Sequence, residues 1–321
     1  RAIASVHFGG GTPSLLTSAQ IETVLSAVRD SFGLAPNAEI GLEANPDGFD
    51  KSAARAFAGA GINRLSLGVQ AFDASALQAL GRTHDPAQAF KAIADALACF
   101  DRVSLDLIYA RPDQTIAAWR AELQKAVDTG VGHISPYQLT IESGTAFARS
   151  HARGQLRAPG PELSADFYEA TQDVLETAGL SAYEISNHAR GAAQQSRHNL
   201  LYWRSQDWIG VGPGAHGRIP LAGVRTATEA HRFPKDYAQA VATTGLGWSV
   251  SDALSAAEVR AETILMGVRI AEGLPMAGLD LDMQTLDMLA AEDLAHTEGG
   301  VLRLTRKGRL LADGIGETLA G

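Results

Sequence analysis

Short apolar runs alternate along the first two-thirds of the chain with longer segments whose apolar positions recur at helical spacing. The runs predict strands at Ile3–Phe8, Glu39–Ala44, Arg64–Val69, Val103–Tyr109, His133–Ile141 and Ala182–Ser186. The intervening segments predict helices around Ser18–Ser31, Lys51–Ala60, Pro86–Phe100, Ile116–Thr129 and Leu163–Ala178. Strand, helix, strand at intervals of about thirty residues is the signature of βαβ crossovers and a parallel sheet. The expectation is an α/β fold, a closed or partly closed barrel, with an open doubly wound sheet as the alternative. No repeat of solenoid type and no low-complexity tract interrupts the pattern.

In either architecture ligands bind at the carboxyl ends of the strands. Here those ends read Gly9–Thr12, Glu43–Pro46, Gly68–Gln70, Asp106 and Tyr137-Gln138. Glu43 or Asp106 alone would equally suit a turn or a buried ion pair. Polar residues at five successive strand ends point to one shared pocket. Gly9, Gly10 and Gly11 directly after a strand permit positive φ and leave backbone N–H groups uncovered. Such a turn can cradle a carboxylate, an amino group or a phosphate.

Composition narrows the function classes. With 321 residues, 45% apolar and 20% charged, the chain has the make-up of a globular protein with a sizeable core. It shows no signal peptide and no apolar run of transmembrane length, which predicts a cytoplasmic protein whose membrane association, if any, is peripheral. A net charge of −9 argues against nucleic acid as a partner. The single cysteine, Cys99, allows neither an intrachain disulfide nor an all-cysteine cluster, and its apolar surroundings predict a small packing residue.

Several segments carry a family resemblance. Phe8-Gly9-Gly10-Gly11-Thr12-Pro13-Ser14, Glu43-Ala44-Asn45-Pro46, the run from Arg64 to Phe72, Leu80-Gly81-Arg82-Thr83-His84 and Leu105-Asp106-Leu107-Ile108-Tyr109 resemble the radical S-adenosylmethionine proteins of the oxygen-independent coproporphyrinogen oxidase group. Glu184-Ile185-Ser186-Asn187, His198-Asn199-Leu200-Leu201-Tyr202-Trp203 and the stretch from Gly210 to Gly217 are similar to the HemW-type haem chaperones within it. The resemblance runs in order over nearly the whole chain. It implies a partial (β/α)6 barrel with a smaller C-terminal domain, and three cofactors: S-adenosylmethionine, a 4Fe-4S cluster and haem.

The family holds its cluster with three cysteines spaced CxxxCxxC after the first barrel strand. That motif is absent here, and Cys99 does not stand at its position. The sequence opens on Arg1 where the family's second strand begins, so the expectation is a barrel lacking its first strand, with the cluster ligands in a preceding segment. Carried over by position, Gly10, Gly11 and Thr12 resemble the turn that holds the amino and carboxylate ends of S-adenosylmethionine. Glu43 would pair with its ammonium, Arg82 with its carboxylate, Gln70 and Asp106 would hydrogen-bond the ribose or carboxylate, and Ile108 would pack on the adenine.

His198, Tyr202 and Trp203 match the HNxxYW signature of the chaperones. The resemblance implies His198 as a ligand of haem iron, with the two aromatics covering the macrocycle. From residue types alone a structural histidine buried among aromatics is the preferred reading. Ser196 stands where many family members carry cysteine, which leaves the axial role to His198, with His188 and His216 as weaker candidates. The polar run from Gln194 to Arg197 predicts that this motif lies near a surface.

From Ser251 the chain predicts a long amphipathic helix, Ala256–Ala271, and an ending that resembles a winged helix. Residues 251–321 carry six basic and twelve acidic side chains, so a DNA surface is excluded in favour of packing or partner docking. The expected organisation is a barrel over 1–190, a connecting region over 191–250 and a C-terminal α+β, winged-helix-like domain over 251–321. The leading function is a haem chaperone that delivers haem to haem-accepting proteins. The alternatives are a coproporphyrinogen III dehydrogenase of porphyrin biosynthesis, or a barrel serving only as a scaffold.

Overall fold

The structure, a computed structural model, describes residues 2–140, Arg153 and residues 159–321. Its contacts divide it once, into a unit ending at His198 and a unit beginning at Asn199. The division passes through the helix that carries the HNxxYW motif.

In the first unit β1 (Ile3–Phe8), α1 (Ser18–Phe32), β2 (Leu34–Ala44), α2 (Lys51–Gly59), β3 (Arg64–Gln70), α3 (Ala74–Ala79), α4 (Pro86–Leu97), β4 (Val103–Tyr109), α5 (Ile116–Asp128), β5 (His133–Gln138) and α6 (Pro161–Thr177) follow the βαβ rhythm. The first five strands pair in parallel in chain order, and the sheet continues through β7 (His188–Ala189) to β6 (Ser181–Ala182), both antiparallel. Most of these helices begin on a side chain suited to the task. Thr17 and Asp85 close capping boxes with Gln20 and Gln88, and Asp50, Asp73 and Thr115 each accept a backbone N–H of the first turn.

The expected strand at Ala182–Ser186 is a correction. The strand covers Ser181 and Ala182, and beyond it the Glu184 carboxylate turns back on its own segment, accepting from Ser186 N at 2.8 Å and from the Asn187 amide. A side chain that satisfies its neighbours' donors offers the backbone a turn in place of a ladder. For the fifth strand the described pairing ends at Gln138, and Ile141 lies outside the described residues.

The two faces of the parallel strands differ in kind. One face carries Ile40, Leu42, Leu65, Leu67, Val69, Leu105, Leu107 and Ile134, packed with Ile21, Phe57, Ile93, Trp119, Leu123 and Phe167 of the helices into one core. Burying each such leucine stabilises the fold by about 1.5–3 kcal/mol. Cys99 packs at the edge of this core. The alternate positions are polar or small: His7 on β1, Glu39, Gly41 and Glu43 on β2, Arg64, Ser66 and Gly68 on β3, Ser104 and Asp106 on β4, His133 and Ser135 on β5. This polar face is the wall of the half-barrel's interior, tied across strands by side-chain hydrogen bonds.

The second unit follows α7 (Arg197–Trp203), which straddles the division. An antiparallel sheet ordered β10-β9-β8 forms from β8 (His216–Leu221), β9 (Val224–Ala230) and β10 (Trp248–Ala253), with α8 (Pro234–Thr244) between the last two. Next come α9 (Ala256–Gly267), β11 (Leu274–Pro275), α10 (Met283–Ala291), β12 (Ala295–Glu298), β13 (Val301–Leu304), α11 (Arg306–Arg309) and α12 (Ala312–Ala320). The ending is an α+β module around the sheet β11-β13-β12. Helix α9 stops at Gly267, short of the expected Ala271, and its second half is partly covered on every side in place of a single apolar stripe. Among the described residues no helix is long and apolar enough to cross a membrane.

Candidate functional site

The carboxyl ends of β1 to β4 and the loops that follow them build the site. After β1 the chain runs through Gly9, Gly10 and Gly11; Gly10 sits at φ 106°, and a Cβ on Gly10 or Gly11 would meet nothing within 4 Å. The turn is therefore open to a ligand, as its glycines predict. Beside it Glu43 projects from the end of β2, partly exposed, its Oε1 3.0 Å from His7 Nε2. A Cβ on Gly9 would lie 3.2 Å from that same oxygen, so the glycine is what lets the turn and the carboxylate approach.

Strand β3 ends under strain. Gln70 adopts φ 66°, a left-handed conformation rare outside glycine, and the pairing with β4 shifts register between Leu67 and Gln70. Gly68 makes room for this: a Cβ there would stand 2.9 Å from Gln70 Nε2 and 3.3 Å from Asn45 Oδ1. On β4, Asp106 accepts from Ser66 Oγ at 3.1 Å. Loss of water around its carboxyl raises the pKa from 3.8 to about 6; the Ser66 and Ser135 hydroxyls pull it down, and Glu43 pushes it further up. Ile108 follows on the same strand, half-buried.

A cavity of about 340 Å³ opens beside these strand ends, with Thr12, Asn45, Asp47, Phe49, Phe57, Arg82 and His84 among its lining. Thr12 and Arg82 stand on its walls; Glu43, Gln70, Asp106 and Ile108 stand on the interior face of the barrel next to it. Arg82 reaches Asn45 Oδ1 at 3.4 Å, and no carboxylate lies within ion-pair distance of it among the described residues. Burial lowers its pKa, the mark of a guanidinium losing water. A half-buried cation on one side, and a partly exposed carboxylate with open N–H groups on the other, fit a small zwitterion.

His198 closes the opposite end of the polar interior. Its ring stacks on His7, centroids 4.0 Å apart and planes 12° from parallel, and its backbone N–H donates to Glu39 Oε1 at 3.1 Å. Glu39, fully buried, also meets Arg102 at 3.0 Å and Arg64 at 3.8 Å, while Arg64 donates to Gln194 O at 2.9 Å and to Ser104 Oγ at 2.8 Å. This buried ionic set holds the His198 backbone, while most residues of the motif are partly exposed. Burial, His7 and Arg64 depress the His198 pKa to about 3, so its imidazole is neutral with a lone pair for a metal.

Tyr202 and Trp203 belong to the second unit. There Tyr202 meets Trp208 edge-on at 4.7 Å, and the Arg269 guanidinium lies 5.0 Å from the Trp203 ring centre. Of the weaker histidine candidates, His188 is fully buried beside Gln172 and His216 is exposed on β8. Sequence reasoning missed His7 and the Glu39–Arg64 pair. The signal was the strict alternation of Glu39-Ile40-Gly41-Leu42-Glu43, Arg64-Leu65-Ser66-Leu67 and Ser104-Leu105-Asp106-Leu107, which marks a face that is polar along its whole length.

These strands and their glycine turn are those of a radical SAM domain: the profile of the Radical SAM superfamily matches residues 1–126. Over 321 aligned residues the chain is 40% identical to the heme chaperone HemW of Mycobacterium tuberculosis, covering 99% of this chain and 81% of that protein. It is 38% identical to the mitochondrial radical S-adenosyl methionine domain-containing protein 1 of Bos taurus, covering 98% of this chain and 71% of the relative. The fold matches that of the Escherichia coli coproporphyrinogen III oxidase HemN with a TM-score of 0.82 at 23% identity, over 100% of this chain and 78% of that one. The chain belongs to the HemW family of radical SAM proteins.

That family implies S-adenosylmethionine and a 4Fe-4S cluster. The donor set at the strand ends fits the first. It does not fit the second: the sequence supplies one thiol, Cys99, on the helix side of the sheet, and the described residues contain no group of His, Cys, Asp or Glu able to hold a metal ion.

Proposed function

We propose that this chain is a haem chaperone, which binds haem in the cytoplasm and passes it to haem-accepting proteins. The observation that carries the proposal is the identity to HemW of M. tuberculosis over almost the whole chain, with the HNxxYW residues His198, Asn199, Tyr202 and Trp203 all in place. In this reading His198 donates its neutral imidazole to haem iron, and Tyr202 and Trp203 cover the macrocycle. Its position supports the role, because the backbone bond to Glu39 and the ring of His7 hold the imidazole in one orientation.

S-adenosylmethionine, when bound, supplies a reactive sulfonium and a charged amino-acid end. For that end Glu43 offers a carboxylate, Arg82 a half-buried guanidinium and Gly10 and Gly11 open backbone N–H groups, while Asp106 and Gln70 present hydrogen-bonding atoms in the barrel. The oxidative decarboxylation of coproporphyrinogen is the second reading, favoured by the fold shared with HemN.

Hemin titration followed at the Soret band separates the readings. The parent chain is expected to give a stoichiometric shift, and His198→Ala an altered band with weaker retention. An unshifted Soret band in the parent, or an identical spectrum in the variant, removes His198 from the role. Anaerobic turnover of coproporphyrinogen would favour the oxidase instead.

A further inference from the structure

One side chain lies between the two ligand sites. His7 Nε2 is 3.0 Å from Glu43 Oε1, and since a carboxylate accepts, Nε2 carries the hydrogen. The same ring stacks on His198 at 4.0 Å. On the next strand Gly41 leaves space for it: a Cβ there would come within 2.7 Å of His7 Nδ1. Hydrogen bond, stack and close backbone approach together confine the ring, which is largely buried. Of its two neighbours, His198 has its backbone held by Glu39, while the Glu43 side chain is partly exposed and can respond to a ligand.

We propose that His7 is a positioning residue joining the two sites: it sets the Glu43 carboxylate for the ammonium end of S-adenosylmethionine and bears on the His198 imidazole, so that occupancy of one site changes affinity at the other. The haem half of this rests on the function proposed above. A ligand that draws Glu43 towards itself shifts the Nε2 contact, and a ring in face-to-face contact at 4.0 Å cannot move without His198 responding. Linkage then requires the effect to be the same in both directions.

The test uses the full chain with hemin and S-adenosylmethionine as probes, in the parent, His7→Phe and His7→Gln. Phe keeps a ring to stack and loses the donor to Glu43; Gln keeps an N–H donor and loses the ring. In the parent, saturating S-adenosylmethionine should change hemin affinity by about fivefold or more, with hemin changing S-adenosylmethionine affinity by the same factor. His7→Phe should bind S-adenosylmethionine about tenfold more weakly, keep hemin affinity within about twofold and lose the coupling. His7→Gln should retain S-adenosylmethionine affinity and lose the coupling. Absence of coupling in the parent, or undiminished coupling in both variants, overturns the proposal. Failure of the parent to bind hemin at all would remove the haem function instead. The proposal is then decided by the His198 ring signals in ¹⁵N NMR, which should move on adding S-adenosylmethionine in the parent and not in His7→Phe. Unmoved signals in the parent overturn it.

Discussion

Asp106 carries the largest electrostatic burden of any carboxylate in the barrel. Its hydroxyl partners, Ser66 and Ser135, offset only part of the lost hydration, and its pKa stands at about 6 against 3.8. A carboxyl whose pKa is raised by folding binds its proton more tightly in the native state, so stability falls as pH rises from about 4 to 6. Asparagine cannot ionise. Asp106→Asn is therefore expected to be more stable than the parent at pH 7.5, by up to about 3 kcal/mol, with the difference closing towards pH 4. Melting temperatures at the two pH values check this, and a difference independent of pH would show that packing, not charge, sets it. A carboxyl so strongly shifted at a strand end marks a candidate functional position. At this scale the sequence was informative where chemistry is concentrated at strand ends, as at Glu43 and Asp106. His7 was missed because a single polar residue between Val6 and Phe8, one place before the end of β1, gives no sign of its partners 36 and 191 positions away.

Among the elements, the parallel strands were visible in their apolar runs because that face is buried under helices and has no freedom to be polar. Strands β6 and β7 were not, since pairs of two residues leave no periodicity and Glu184 disguises the turn between them. The start of β2 was also hidden. Leu34 to Ala38 pair or extend alongside β1 although Pro36 and Asn37 read as a loop. What fixes β2, β3 and β4 against the segment before α7 is the buried set Glu39, Arg64 and Ser104. Arg64→Leu leaves Glu39 with Arg102 and the His198 N–H, and removes the donors to Gln194 O and Ser104 Oγ. The expected cost is about 1–3 kcal/mol, because buried acceptors lose their donor. Urea unfolding measures it, and a loss below about 1 kcal/mol would mean that Arg102 suffices.

At the scale of the whole molecule, the division after His198 could not be read from composition, since the residues on either side of it form one helix. The acid response is a property of the whole chain. His133 and His198 are both held neutral by burial, with lowered pKa values, so unfolded chains take up protons there before folded ones do. Stability from these two groups is complete above about pH 6.5 and drains away as pH falls below it, a larger change than the opposing one at Asp106. Denaturation midpoints should therefore drop steadily from pH 7 to pH 5; a flat profile would mean that one of these histidines is hydrated in solution.

The floor under His198 has a consequence for how the chain reaches its final form. Arg64 meets Gln194 across 130 positions, His198 meets Glu39 across 159 and Arg197 meets Asn37 across 160. Contacts so distant in sequence carry a large loop-closure cost and form only when the intervening chain is already ordered. During synthesis the parallel strands can assemble while the latch at Gln194–His198 is still inside the ribosome. His198 therefore comes to rest on His7 late, and a chain caught before that moment has its five parallel strands but no motif in place.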